Sequence, residues 1–220
     1  MSRSTNARAS LTAAASAIAL AAMLGLTGCF GWSVSKVGPT GPTEGAGGNA
    51  SLSEAGAQEI ERTGVATFDW SSGRLLLRDV GLTGPGDFAS PVSARDRSHP
   101  LEVTVRAPNT TIRVPSVQIF PHVAEGAAEI DELWLTASAG SDAQFRSLVR
   151  EFASVAGVAD EGLDSWLTAY VNDPRGTCDA LGYNTPVGTA TGLQVWLEMS
   201  CKWDPAPRRF VSVHIAPLEP

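Results

Sequence analysis

The chain has 220 residues, 43% of them hydrophobic, and carries 16 basic against 23 acidic residues for a net charge of −7. That length suffices for one domain with a proper core, and the acidic balance speaks against a nucleic-acid partner, because phosphate binding needs clustered lysine and arginine. The acids are dispersed, at Asp69, Asp79, Glu102, Glu132, Glu151 and Asp204 among others, and read as solubility rather than as one binding block.

The chain opens with Arg3 and Arg8 and no acid, then runs through an Ala- and Leu-rich stretch from Leu11 to Leu24, and small residues follow immediately before a cysteine. This is the layout of a secretory signal. As a membrane span the run is diluted by Thr12, Ser16 and Thr27, whereas a spanning helix wants roughly 20 strongly apolar residues. Its ending, Leu26-Thr27-Gly28-Cys29, resembles the lipobox of bacterial lipoproteins. The resemblance covers residues 1–29 only and implies cleavage before Cys29, acylation of that cysteine with chains such as palmitate, and residence on the extracytoplasmic face of the cell membrane. The membrane is then a partner through the lipid at Cys29, and two acyl chains at about 0.8 kcal/mol per methylene hold without any transmembrane helix. Removing Arg3 and Arg8 with residues 1–28 leaves 14 basic and 23 acidic residues, a mature net charge of −9.

Residues 29–50 read as a lipidated N-terminus and tether. From Ser33 the composition is Gly, Pro, Thr and Ser, with Gly38-Pro39-Thr40-Gly41-Pro42 at its centre. A flexible coil of that length spans about 23 Å. Of the three cysteines, lipidation occupies Cys29 and leaves Cys178 and Cys201, which in an oxidising compartment are expected to form a disulfide. Two buried thiols are the alternative, and a zinc site lacks histidines at ligand spacing.

Residues 51–220 are expected to form a single globular domain. A short helix is expected over Glu54 to Arg62, weakened by Gly56, followed by two strands, Thr67 to Trp70 and Arg74 to Val80, around Ser71-Ser72-Gly73. Residues 81–100, with Gly84-Pro85-Gly86, Pro91 and Pro100, read as an irregular loop. Leu101, Val103 and Val105 alternate with polar residues as in a half-exposed strand, Ala107 to Thr110 turns the chain, and Thr111 to Phe120 resumes a strand in which Pro115 requires an edge or a bulge. Leu133, Leu135 and Ala137 mark another strand, with Trp134 on its polar face either covered by a helix or marking a contact surface.

Ser141 and Gln144 form a capping box for a helix that buries Phe145, Leu148, Val149 and Phe152 and stops at Gly157. A second helix from about Asp160 aligns Leu163, Trp166, Leu167, Tyr170 and Val171 on one face and ends before Pro174. Its aromatics read as core, with a ligand-binding box of Phe145, Trp166 and Tyr170 as the sharper alternative. A turn-rich segment, Asn172 to Gly192, precedes a C-terminal hairpin of Leu193 to Trp203 and Arg209 to Ala216, closed by Asp204-Pro205-Ala206-Pro207. The sum is an α+β fold, an antiparallel sheet with two amphipathic helices packed on one face.

Catalytic signatures are missing. The mature chain contains no Gly-x-Ser-x-Gly elbow, and Gly81 to Gly86 is not followed by the Lys-Ser or Lys-Thr of a phosphate loop. His99, His122 and His214 are isolated in sequence, and Glu125, Glu129, Asp131 and Glu132 are the densest acidic cluster but lack the spacing of a calcium loop. No catalytic, cofactor or metal residue is assigned and no enzyme activity is expected. The leading functional expectation is a non-enzymatic, membrane-tethered domain that binds another envelope component, with an envelope protein or a small apolar ligand as the partner. A carrier of a small apolar molecule or lipid, with a cavity between helices and sheet, is the alternative, and an envelope hydrolase needs a histidine to meet a serine and a carboxylate.

Overall fold

The structure, a computed structural model, describes residues 48–82, 89–158, 161–180, 182–203 and 208–219. The signal segment, Cys29, most of the tether, Gly84-Pro85-Gly86 and the Asp204 to Pro207 turn lie outside the described residues. Alternating apolar and polar residues build the strands β1 (Val65–Asp69), β2 (Val92–Ser93), β3 (Leu101–Arg106), β4 (Thr111–His122), β5 (Glu132–Ala139), β6 (Tyr183–Asn184), β7 (Gln194–Lys202) and β8 (Arg208–Ala216). Helical periodicity builds α1 (Glu54–Thr63), α2 (Asp142–Ala156), α3 (Glu161–Asn172) and α4 (Pro174–Ala180). The strands form one open sheet in the order β1-β3-β4-β5-β8-β7-β6, and β2 pairs with β4. The fold is therefore mixed α/β. Its sheet is not wholly antiparallel, because β1 runs parallel to β3, and among the described residues it carries four helices, adding α4 to the short first helix and the two amphipathic helices expected.

The central register depends on a bulge in β4. Ile112, Val114 and Ser116 point into the core before it, and Ile119 and Pro121 after it. The register shifts between Ser116 and Gln118, leaving Val117 as the extra residue beside the Pro115 that signalled it. The buried Ser116 hydroxyl lies 2.6 Å from the Gln118 carbonyl and 3.2 Å from that of Thr136, and donates at the disrupted point of the ladder. Opposite this strand, Leu133, Leu135 and Ala137 of β5 continue the inward face into Val211, Val213 and Ile215 of β8 and then into Met199, Leu197 and Val195 of β7.

Helix α2 packs on β5, β7 and β8 and buries Phe145, Leu148, Val149 and Phe152. The Ser141 side chain accepts the Gln144 N–H at 3.2 Å, and Gly157 ends the helix at φ +74°. Gln144 reaches back one residue further than a capping box does, to the N–H of Gly140 at 2.9 Å. Gly56 in α1 has a packing reason, since a Cβ there would come within 2.4 Å of Ser51. Among the described residues no helix is long and apolar enough to cross a membrane.

Two expected elements differ. Arg74 to Val80 does not pair with β1; Leu76 bridges Glu129, and Leu77–Val80 is a 3-10 turn that buries Leu77 and Val80. The apolar run Leu75-Leu76-Leu77 is satisfied by core packing instead of a ladder. The segment after Asn172 contains α4, in which Pro174 takes the first helical position and the Asp173 side chain accepts the Gly176 N–H at 2.9 Å. At the sheet's margins, Ala50 donates to the Thr67 carbonyl at 2.7 Å and Asn49 accepts from the Asp69 N–H, while beyond β7 the Val195 and Leu197 positions pair with Gly188 and Thr185.

Cys178 and Cys201 are joined, with Cα atoms 5.6 Å apart, so α4 is fastened to β7. A second clasp ties three elements together. Arg209 Nε donates to Asp142 Oδ1 at 2.5 Å and to the Tyr170 hydroxyl at 2.8 Å, and Tyr170 donates in turn to Asp142, linking β8, α2 and α3. The Tyr170 hydroxyl, ahead of Arg209, holds the Asp142 carboxyl below its usual range, and burial pushes the Tyr170 phenol up to about 12.

The unreduced, denatured chain is expected to leave both Cys178 and Cys201 unlabelled by a thiol reagent, and replacing the pair with serine to cost about 3 kcal/mol in denaturant titration. Asp142→Ala strands the nearly buried Arg209 guanidinium and is expected to cost about 2 kcal/mol. The pH dependence follows from the two directions. The Asp142 contribution is complete above the ordinary aspartate value of about 3.9 and is lost as pH falls through the lowered value. That of Tyr170 is complete below about 10 and is lost as pH rises through about 12. Asp142→Ala should flatten the acid limb of stability against pH and leave unchanged the loss that other groups cause.

Candidate functional site

The inward phase of the central strands fixes what faces outward. Beyond the bulge Phe120 of β4 pairs with Trp134 of β5, Trp134 with His214 of β8, and His214 with Trp196 of β7. Four ring-bearing residues thus lie side by side across four adjacent strands, about 14 Å over three interstrand spacings. Their ring centroids are 5.4, 4.9 and 4.9 Å apart. Trp196 stacks on His214 at an interplanar angle of 16°, whereas the other two contacts are tilted. Phe120 and Trp134 are 38% and 36% exposed, so this part of the row is open to solvent, and among the described residues no helix covers Trp134. Of the two readings of Trp134, the contact surface is the one its exposure supports.

Polar rows flank the rings. His122 and Glu132 pair on one side, and Gln118, Thr136, Ser212 and Glu198 cross the sheet on the other. Glu132 Oε1 lies 2.7 Å from His214 Nδ1, and Glu198 Oε2 lies 3.4 Å from Nε2. The second contact is out of hydrogen-bonding alignment, and Nε2 is buried without a hydrogen bond. His214 is 5% exposed and is held by indoles on two sides and carboxylates at both nitrogens.

The remaining sequence candidates have local roles. His99 is exposed; Ser98 Oγ at 3.1 Å and Asp96 Oδ2 at 3.0 Å both approach its Nδ1. A relay from serine through histidine to carboxylate uses the two ring nitrogens for different partners, so this turn is not a triad. His122 lies at the exposed end of β4, 3.8 Å from Asp131. The acidic cluster is dispersed, with Glu129 on Arg74 at 2.7 Å, Asp131 accepting from the Ala124 N–H, and Glu132 on His214. Among the described residues no group of three or more His, Cys, Asp or Glu is arranged to hold a metal ion. Phe145, Trp166 and Tyr170 do meet, at 5.1 to 6.1 Å, but they pack on one another, Phe145 and Tyr170 are fully buried, and the tyrosine hydroxyl is engaged by Asp142 and Arg209. That cluster is core.

Sequence reasoning singled out Trp134 but not its companions. Phe120 was hidden by the phase change at the bulge, and His214 and Trp196 join the row only through strand pairings distant in sequence. The available signal was the polar-face position of Trp196 and His214 in the two strands of the C-terminal hairpin. Comparison of this chain with protein-family models, with curated proteins and with solved structures finds no match to it.

Proposed function

We propose that this chain is a lipid-anchored, non-enzymatic binding domain of the bacterial envelope, tethered at Cys29 on the extracytoplasmic face of the cell membrane, that docks a protein partner through its aromatic row. The observation that carries the reading is the half-exposed Phe120 and Trp134 in line with His214 and Trp196 on one sheet face. Large aromatic side chains held rigidly by neighbours are the residues that dominate binding energy at protein interfaces. In this reading the amphipathic helices α2 and α3 serve the opposite face, where their buried residues join the core with Leu133, Leu197 and Val213. The carrier reading draws less support, because Leu148, Phe152 and Leu197 belong to that continuous buried cluster. The anchor rests on the resemblance of Leu26-Thr27-Gly28-Cys29 to a lipobox.

Two experiments test the two halves. Cys29→Ala is expected to abolish acylation and leave an uncleaved precursor; normal cleavage with unchanged membrane retention contradicts the anchor. A photo-crosslinking residue placed at Trp134 in living cells is expected to capture a discrete partner, and one placed at the exposed Ser147 of α2 is not. Equal crosslinking from both positions would remove the aromatic face from the interface.

A further inference from the structure

Glu198 and His214 together form an unfinished hydrogen-bond arrangement. When the imidazole is neutral, its Nδ1 N–H donates to Glu132 at 2.7 Å, so Nε2 carries the lone pair. That lone pair faces Glu198 Oε2, another acceptor, at 3.4 Å. The His214 side chain is only 6% exposed and its Nε2 has no hydrogen bond, while the Glu198 side chain is 47% exposed and, among the described residues, makes none. The Glu198 carboxylate, two residues from Trp196 on the same strand, is thus left without a hydrogen bond among the described residues.

The surroundings define which donor fits. Neither flanking row, His122 with Glu132 or Gln118 with Thr136, Ser212 and Glu198, contains a lysine or arginine, so an anionic partner would meet uncompensated carboxylates. Trp196 lies flat against His214 and the two contacts of Trp134 are tilted, and together the rings form an apolar ridge along the row. Such a ridge beside a carboxylate suits the aliphatic stem and charged head of a basic side chain.

We propose that Glu198 and the ridge of Phe120, Trp134 and Trp196 receive a cationic side chain, guanidinium or ammonium, of a protein partner. This deepens the docking reading above and rests on it.

The test is fluorescence anisotropy of a labelled (Gly-Arg)4 peptide titrated with the full chain in mild detergent. Saturable binding is expected at pH 7.5, weakened about fivefold by Glu198→Gln, the worth of a half-exposed ion pair, and similarly by Trp134→Ala. Glu161→Gln on α3 should change nothing. Equal binding by Glu198→Gln, equal binding of a (Gly-Glu)4 peptide, or preference for a neutral linear hexasaccharide or for anionic vesicles overturns the proposal. If the crosslink at Trp134 persists while (Gly-Arg)4 fails to bind, the cationic assignment falls and the docking face stands; if that crosslink is also absent, both fall.

Discussion

The single extra residue Val117 governs both faces of this sheet. Without it, the alternation that buries Ile112 and Val114 would carry on through β4, aiming Phe120 into the core and Ile119 into water. The bulge resets the phase, so the two halves of a twelve-residue strand serve one core, and in the same step it brings Phe120 out beside Trp134. Ser116 makes the irregularity tolerable by supplying a hydroxyl where the ladder is interrupted. Core packing and the aromatic row are thus two results of one backbone event.

Rigid support for the row comes from behind. The strands that carry Trp134, His214 and Trp196 are the three on which α2 packs, and the Asp142, Tyr170 and Arg209 clasp joins α2, α3 and β8 at the end of those strands. The disulfide adds a covalent link from α4 to β7. Rings presented on such a scaffold lose little rotamer freedom when something docks against them, because neighbouring rings already restrict them.

Local chemistry was legible from residues alone where a signal and its consequence are close in sequence. Ser141 and Gly157 bound α2, Pro115 marks the bulge, and alternation defines β3, β5, β7 and β8. Legibility failed where pairing is distant. The parallel partner of β1 is separated from it by an irregular stretch, and the apolar run Leu75-Leu76-Leu77 satisfies a strand pattern and a buried turn equally. Pro174 reads both as the end of α3 and as the start of α4, and only the side chain of Asp173 decides for the second helix. Of the aromatic row, one member stood out, since a register across four strands is a property of the assembled sheet.

The margins of the sheet bear on how copies of this protein meet. An open strand edge is a valence for growth, and sheets that keep one can extend from molecule to molecule into fibres. Here Asn49 and Ala50 lie along the outer side of β1, and beyond β7 the sheet ends in the two-residue β6 with Thr185 and Gly188 beside it. Neither margin presents a long regular ladder, so a second copy finds little on which to extend the sheet.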